Sequence, residues 1–143
     1  MKITTYIVNL KSSTARKEYM QNLLAKYSFL DVQFIEAVDG RIFSNEQRAQ
    51  AFDNKESVLR YGRDINGGEV GCTLSHYKCY NEIAGSKDEF LLILEDDISI
   101  VGDFNLVNSE EVRMLMSDKK PKILFLSGDY WFWQNKPITS VFD

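Results

Sequence analysis

Four short apolar runs, set apart by stretches long enough for a helix and its turns, constrain the fold of this sequence most. They are ITTYIVNL (3–10), VQFIEAV (32–38), FLLIL within FLLILED (90–94) and KILFLSG (122–128). Each is rich in β-branched, aromatic or aliphatic residues and contains no proline, as strands are. The segments between them read as helices. Ser12, Ser13 or Thr14 can cap a helix reaching about Tyr27, with Ala15, Tyr19, Leu23, Leu24 and the stem of Lys26 as its apolar face. Gly67, Gly68 and Gly71 open a second helix, GGEVGCTLSHYKCYNEIAG, which Gly85 ends. Its apolar residues fall on two faces, Val70, Leu74, Tyr77, Tyr80 and Ala84 on one and Cys72, Cys79 and Ile83 on another, so burial on most sides is expected. A short helix is expected from Asn45 to Phe52, LRYGRDINGG reads as a loop, and a last helix is expected over 106–117. Strand–helix alternation of this kind predicts an α/β fold with an open, mostly parallel twisted sheet flanked by helices.

A chain of 143 residues matches one ordinary domain. Its net charge of −4 gives no electrostatic footprint for nucleic acid, so an anionic ligand would have to be met by local cations, helix N-termini or a metal. The N-terminal residues show no signal-peptide core, and no run approaches the ~20 apolar residues of a membrane span, so the expected compartment is the cytoplasm. Seven helical positions separate Cys72 from Cys79 by ~10 Å. A disulfide needs Cα atoms within roughly 7 Å, so both should be free thiols.

The run DEFLLILEDDISI raises the functional question. Glu95, Asp96 and Asp97 follow directly on an apolar strand, where like charges repel and resist leaving water. In open parallel sheets ligands bind beyond the carboxyl ends of the strands, which is where these acids fall. If the segment stays extended, Glu95 and Asp97 share a face and Asp96 points away. Two such carboxylates would suit magnesium or manganese, with a substrate diphosphate and water completing the shell. The alternative is a solvated acidic turn.

The blocks YIVNLKSSTARKEYM, FIEAVDGR, GGEVGCTLSHYKCYNEI and FLLILEDDI, in this order, resemble those of glycosyltransferase family 25 from about residue 3 to about residue 128. The resemblance implies a GT-A-like nucleotide-sugar-binding domain that transfers a hexose, galactose or glucose, from a UDP-sugar to an acceptor hydroxyl with inversion. It also implies manganese (or magnesium) held by a DxD-like motif, here Glu95 and Asp97, with Asp96 near the ribose or sugar. Asn9 and Leu10 end the first strand, where backbone groups could clamp a uracil. Arg16 lies on the first turns of the next helix and its planar fork suits a diphosphate. Asp39 and Gly40 close the second strand, as donor contacts or only as a tight turn. The helix opened by Gly67 and Gly68 presents N–H groups for which an anion is one candidate.

His76 falls in line with Cys72, Cys79 and Ile83, as a packed histidine or as part of the donor site. A Cys72–His76–Cys79 zinc site is disfavoured, because one helix cannot wrap a tetrahedral ion across two turns. Asp129, just beyond the fourth run, is a candidate catalytic base by position. Tyr130, Trp131, Phe132 and Trp133 suit an acceptor platform, or equally core, or a surface that a further segment covers or that favours self-association.

The resemblance is to the donor-binding part of longer proteins, and the part that completes the acceptor site has no counterpart before Asp143. The first expectation is therefore a metal-dependent hexosyltransferase acting on a lipid-linked oligosaccharide at the inner membrane face. The second is a nucleotide-sugar-binding domain without transfer activity of its own. A receiver-like phosphoryl-transfer domain would need a lysine after a later strand, but the fourth run is followed by Gly128 and Asp129, with no lysine until Lys136.

Overall fold

A computed structural model describes residues 2–88, 90–117 and 122–126 of the chain. Strand β1 (Ile3–Asn9) leads into α1 (Thr14–Leu24), which returns to β2 (Leu30–Glu36). A 3-10 turn (Gly40–Ile42) and the short helices α2 (Asn45–Ala51) and α3 (Asn54–Tyr61) follow. The long helix α4 (Gly67–Gly85) then leads to β3 (Leu92–Glu95), a 3-10 segment (Phe104–Asn108) and α5 (Glu110–Met116). The strands form an open parallel sheet in the order β2-β1-β3.

This order puts the first strand in the middle. The chain leaves β1 toward β2 on one side, and later arrives on the other side at β3. The strand order therefore reverses between β1 and β3, and in open parallel sheets ligands bind outside the carboxyl edge at such a point. Register carries the residues to that edge: Val8 pairs with Glu95, so Asn9 and Asp96 come next on the two strands.

Side-chain alternation sorts the strands between two cores. Ile3 and Ile7 of β1 join Leu92 and Leu94 of β3 against Met20 and Leu24 of α1. Tyr6 and Val8 point the opposite way, toward Cys79 of α4, with Ile93 packed alongside. Ile7 and Met20 are fully buried, each worth about 1.5–3 kcal/mol by removal of its side chain from water.

Helix α4 packs closely on the segment that follows β2. Its buried residues include Gly67, Gly71, Ser75 and Cys79, a stripe of small residues at every fourth position. A Cβ on Gly71 would lie 2.4 Å from the Val38 carbonyl oxygen, and one on Gly40 would lie 2.2 Å from the Gly67 carbonyl oxygen. Backbone meets backbone here, and only glycine leaves room. Ser75 completes the seam: its hydroxyl accepts from the Val38 N–H at 2.8 Å and donates to the Gly71 carbonyl at 2.6 Å.

Three expectations are corrected. Helix α4 is not buried on most sides: Tyr77 and Tyr80 stand exposed, and its fully covered residues are Val70 and the small-residue stripe. The stretch read as a loop from Leu59 contains the end of α3, which Asp53 caps by accepting from the N–H groups of Lys55 and Glu56, and which Gly62 ends in the left-handed region at φ 69°. The fourth run forms no strand over 122–126: Ile123 and Phe125 are exposed, and a strand exists only through a paired neighbour. The remainder of that run lies outside the described residues.

Candidate functional site

The acidic run straddles the sheet. Asp96 follows Leu92 and Leu94 onto the α1 face, whereas Glu95 follows Ile93 onto the α4 face. Asp96 is buried, yet both of its carboxylate oxygens have partners. Oδ2 accepts from Asn9 Nδ2 at 2.7 Å and Oδ1 from an Arg16 guanidinium N–H at 2.9 Å. Asn9, also buried, gives its other amide proton to the Ser13 carbonyl at 3.1 Å, tying the end of β1 to the start of α1. The buried charge of Asp96 is thus offset by one amide and one cation.

Asp97 is different. Residues 96 and 97 form a turn, the alternation of the strand stops, and the Asp97 side chain is 63% exposed. It receives the same Arg16 nitrogen at 3.3 Å. The hydrogen bond to Asp96, and then the charges of Asp96 and Asp97, raise the Arg16 pKa, so the guanidinium stays charged. Tyr19 of α1 fastens the turn from below, its hydroxyl donating to the Ile98 carbonyl at 3.1 Å.

Glu95 takes its partners from the opposite face. Its Oε1 lies 2.6 Å from His76 Nε2 and 3.8 Å from Cys72 Sγ, both on α4. Burial, then the Glu95 charge and the hydrogen bond to it, push the Cys72 thiol pKa up. The shared face expected for Glu95 and Asp97 is therefore not formed, because the extended geometry it required ends at Glu95. Asp97 is left as an exposed carboxylate at the carboxyl edge, paired with Arg16. Glu95 is committed to an imidazole and a thiol instead.

Of the expected donor-site residues, the fold brings together Asn9, Arg16, Asp96 and Asp97. Leu10 follows β1 at the same edge, but its carbonyl accepts from Ser13 N–H at 2.8 Å, and the Asn9 carbonyl accepts from Ala37 N–H at 2.9 Å. It is the Asn9 side chain that faces the carboxyl-edge residues. Asp39 and Gly40 lie one strand away, beyond β2. Asp39 holds Arg41 through both oxygens at 2.7 Å, and this pairing lowers its pKa. Gly40 is buried in the backbone seam with α4. The N-terminus of α4 already has its anion, Glu69, which forms a reciprocal capping box with Asn66 and accepts from Arg63. Asp129 and Tyr130 to Trp133 lie outside the described residues. Surface hollows among the described residues lie along α2 and α3, lined by Asn54, Lys55, Val58 and Leu59, away from the strand ends.

Fold and site together define a parallel α/β domain with a carboxylate cluster at the carboxyl edge where its strand order reverses. Residues 2–138 match glycosyltransferase family 25, described as an LPS biosynthesis protein, and the chain belongs to that family. It is 31% identical to procollagen galactosyltransferase 2 of Homo sapiens over 104 residues, covering 69% of this chain and 16% of the human protein. It is 34% identical to a glycosyltransferase 25 family member of Aedes aegypti over 96 residues, covering 65% of this chain and 16% of that protein. A procollagen lysyl hydroxylase and glycosyltransferase of Acanthamoeba polyphaga mimivirus is 30% identical over 114 residues, 70% of this chain and 12% of its own length. The match thus spans about a sixth or less of the length of these relatives. Among the described residues no helix is long and apolar enough to cross a membrane.

Proposed function

We propose that this chain is the donor-binding part of a metal-dependent hexosyltransferase with a GT-A-like fold. The reaction moves galactose or glucose from a UDP-sugar to a hydroxyl of a lipooligosaccharide or related glycan. The acceptor oxygen attacks the anomeric carbon from the face opposite the diphosphate, the bond to the phosphate oxygen breaks, and UDP leaves with the electron pair. The acceptor proton passes to a base, for which Asp129 is the candidate by sequence position.

One observation carries this reading: Asp96 is locked by Asn9 and Arg16 at the carboxyl edge between β1 and β3, while its neighbour Asp97 faces solvent. A buried, fully bonded carboxylate fixes the geometry; the exposed one, held only by the longer 3.3 Å contact from Arg16, is within a ligand's reach. Manganese or magnesium bound at Asp97 would supply charge neutralisation for the diphosphate. Arg16, half in solvent and pinned through one nitrogen, would present the rest of its fork to the same group. Family membership and the galactosyltransferases among the relatives support the sugar-transfer class. A lipid-linked acceptor would bring the chain to the cytoplasmic face of the inner membrane as a peripheral protein.

Calorimetric titration of UDP into the chain, with and without manganese, tests the proposal. Binding should require manganese and should disappear in Asp97→Ala at unchanged far-UV circular dichroism. Full affinity in that variant would remove Asp97 from the site. Manganese-dependent binding without any sugar transfer would favour the second reading, a donor-binding domain that needs a further segment or partner for catalysis.

A further inference from the structure

The acid on the opposite face of the sheet has no part in that proposal, and its surroundings have a chemistry of their own. Cys72 and His76 are four residues apart on α4 and so project from the same side of the helix, and Glu95 ends β3 directly opposite. One donor atom from each, a thiol sulfur, an imidazole nitrogen and a carboxylate oxygen, lie within 4.8 Å of one another.

We propose that Cys72, His76 and Glu95 form a site for a transition metal of the zinc class, separate from the hard-cation position at Asp97. Donor type decides the metal. Thiolate with imidazole selects zinc-like ions, whereas magnesium and manganese prefer oxygen shells. Spacing is within reach of small side-chain adjustments. Metal–ligand bonds of about 2.0–2.3 Å place tetrahedral donor atoms roughly 3.3–3.8 Å apart. The sulfur–oxygen distance of 3.8 Å already matches, the nitrogen–oxygen distance of 2.6 Å must open as the ion replaces the proton between them, and the sulfur–nitrogen pair, within 4.8 Å, settles by rotation of the exposed Cys72 side chain.

The ligands sit on rigid supports. Cys72 and His76 flank Ser75, which is bonded to the backbone on both sides of the α4 seam, and Glu95 is held by its pairing with Val8. The cluster is also reachable, since Cys72 is exposed and His76 and Glu95 are part-buried. Three protein donors and an open side leave a fourth position for water or a ligand group, the arrangement of zinc sites that do chemistry rather than hold a fold together. A Cys72–His76–Cys79 set is excluded by the same geometry, because Cys79 is fully buried against Tyr6 and Val8.

Cobalt(II) titration of the reduced chain, without UDP, tests the site independently of the donor-binding proposal. Binding at this cluster should produce a sulfur-to-cobalt charge-transfer band and intense visible bands, saturating at one ion per chain. Cys72→Ser should abolish the charge-transfer band, and Cys79→Ala should keep it. His76→Gln, which removes the one histidine of the sequence, should weaken affinity by at least the roughly 10–100-fold typical of losing a supporting partner. Absence of the band in the unmodified chain, or its persistence in Cys72→Ser, overturns the proposal. A second measurement serves if a substitution unfolds the chain. In the unmodified protein, zinc should slow modification of the exposed Cys72 thiol by an aromatic disulfide reagent, with the rate restored by chelator. An unchanged rate would overturn the proposal equally.

Discussion

Asp96→Ala separates a carboxylate that holds the carboxyl edge together from one that only faces solvent there. The alanine removes a buried acceptor and leaves Asn9 with one amide proton unsatisfied, the other remaining on the Ser13 carbonyl. A hydrogen bond to a charged acceptor is worth about 1.5–3 kcal/mol, and an orphaned buried donor costs a similar amount rather than an additional one. Arg16 contributes little to the loss, because its side chain is 56% exposed and is rehydrated when Asp96 is gone. The expected destabilisation is therefore about 2–3 kcal/mol. For 143 residues the unfolding entropy is roughly 300 cal/mol/K, so each kcal/mol moves the midpoint by about 3 °C. Asp96→Ala should melt ~6–10 °C below the parent chain, as followed by far-UV circular dichroism. Asn9→Ala should lose a comparable amount, and the double variant should be little worse than either single one, since the same bond disappears each time. Asp97→Ala should melt within about 2 °C of the parent, its carboxylate being exposed. The reasoning fails if Asp96→Ala and Asp97→Ala melt together, or if the double variant loses the sum of the single losses.

Two other expectations rest on separate parts of the fold. Gly71→Ala would push a methyl group against the Val38 carbonyl oxygen and the Gly40 nitrogen, at 2.4 and 2.8 Å, where only backbone could yield. It should cost about 1–3 kcal/mol or more in urea unfolding, and an unchanged midpoint would show that the seam is looser than described. Glu69 has its pKa lowered to about 2, chiefly by the hydrogen bond from Arg63 and then by the Asn66 N–H. A folded value below the unfolded ~4.3 stabilises the native state above that pH, and this contribution is lost as pH falls toward about 2. Carbon-detected NMR of the Glu69 carboxyl should show the low midpoint, whereas titration near 4 would mean that the Arg63 pairing does not persist in solution.

Much of the fold was legible because it depends on local chemistry. The apolar runs at 3–10, 32–38 and 90–94 mark the three strands, the second and third within about two residues of their bounds, and the glycines at 67 and 85 bound α4 on both sides. Helix α3 was not expected; its start signal is Asp53 before Asn54. The fourth run failed for a different reason: β-propensity describes a side chain suited to a sheet, and Ile123 and Phe125 have no paired strand in the described residues.

The site divides along the same line. From the sequence alone it followed that three acids close an apolar strand, and that Glu95 and Asp96 point to opposite faces. Strand geometry dictates the side-chain alternation, and no partner is needed to know it. Which groups answer those acids depended on contacts between distant parts of the chain. Asn9 meets Asp96 across 87 positions because β1 and β3 pair in register, and Arg16 reaches it across 80 because α1 lies over that pair. Cys72 and His76 meet Glu95 because α4, seated backbone to backbone through Gly40, Gly67 and Gly71 on the Val38–Arg41 segment that follows β2, brings them opposite the end of β3. Spacing along one chain carries the period of a helix or a strand. The distance between two elements is set by the side chains packed between them, and here by the absence of those side chains.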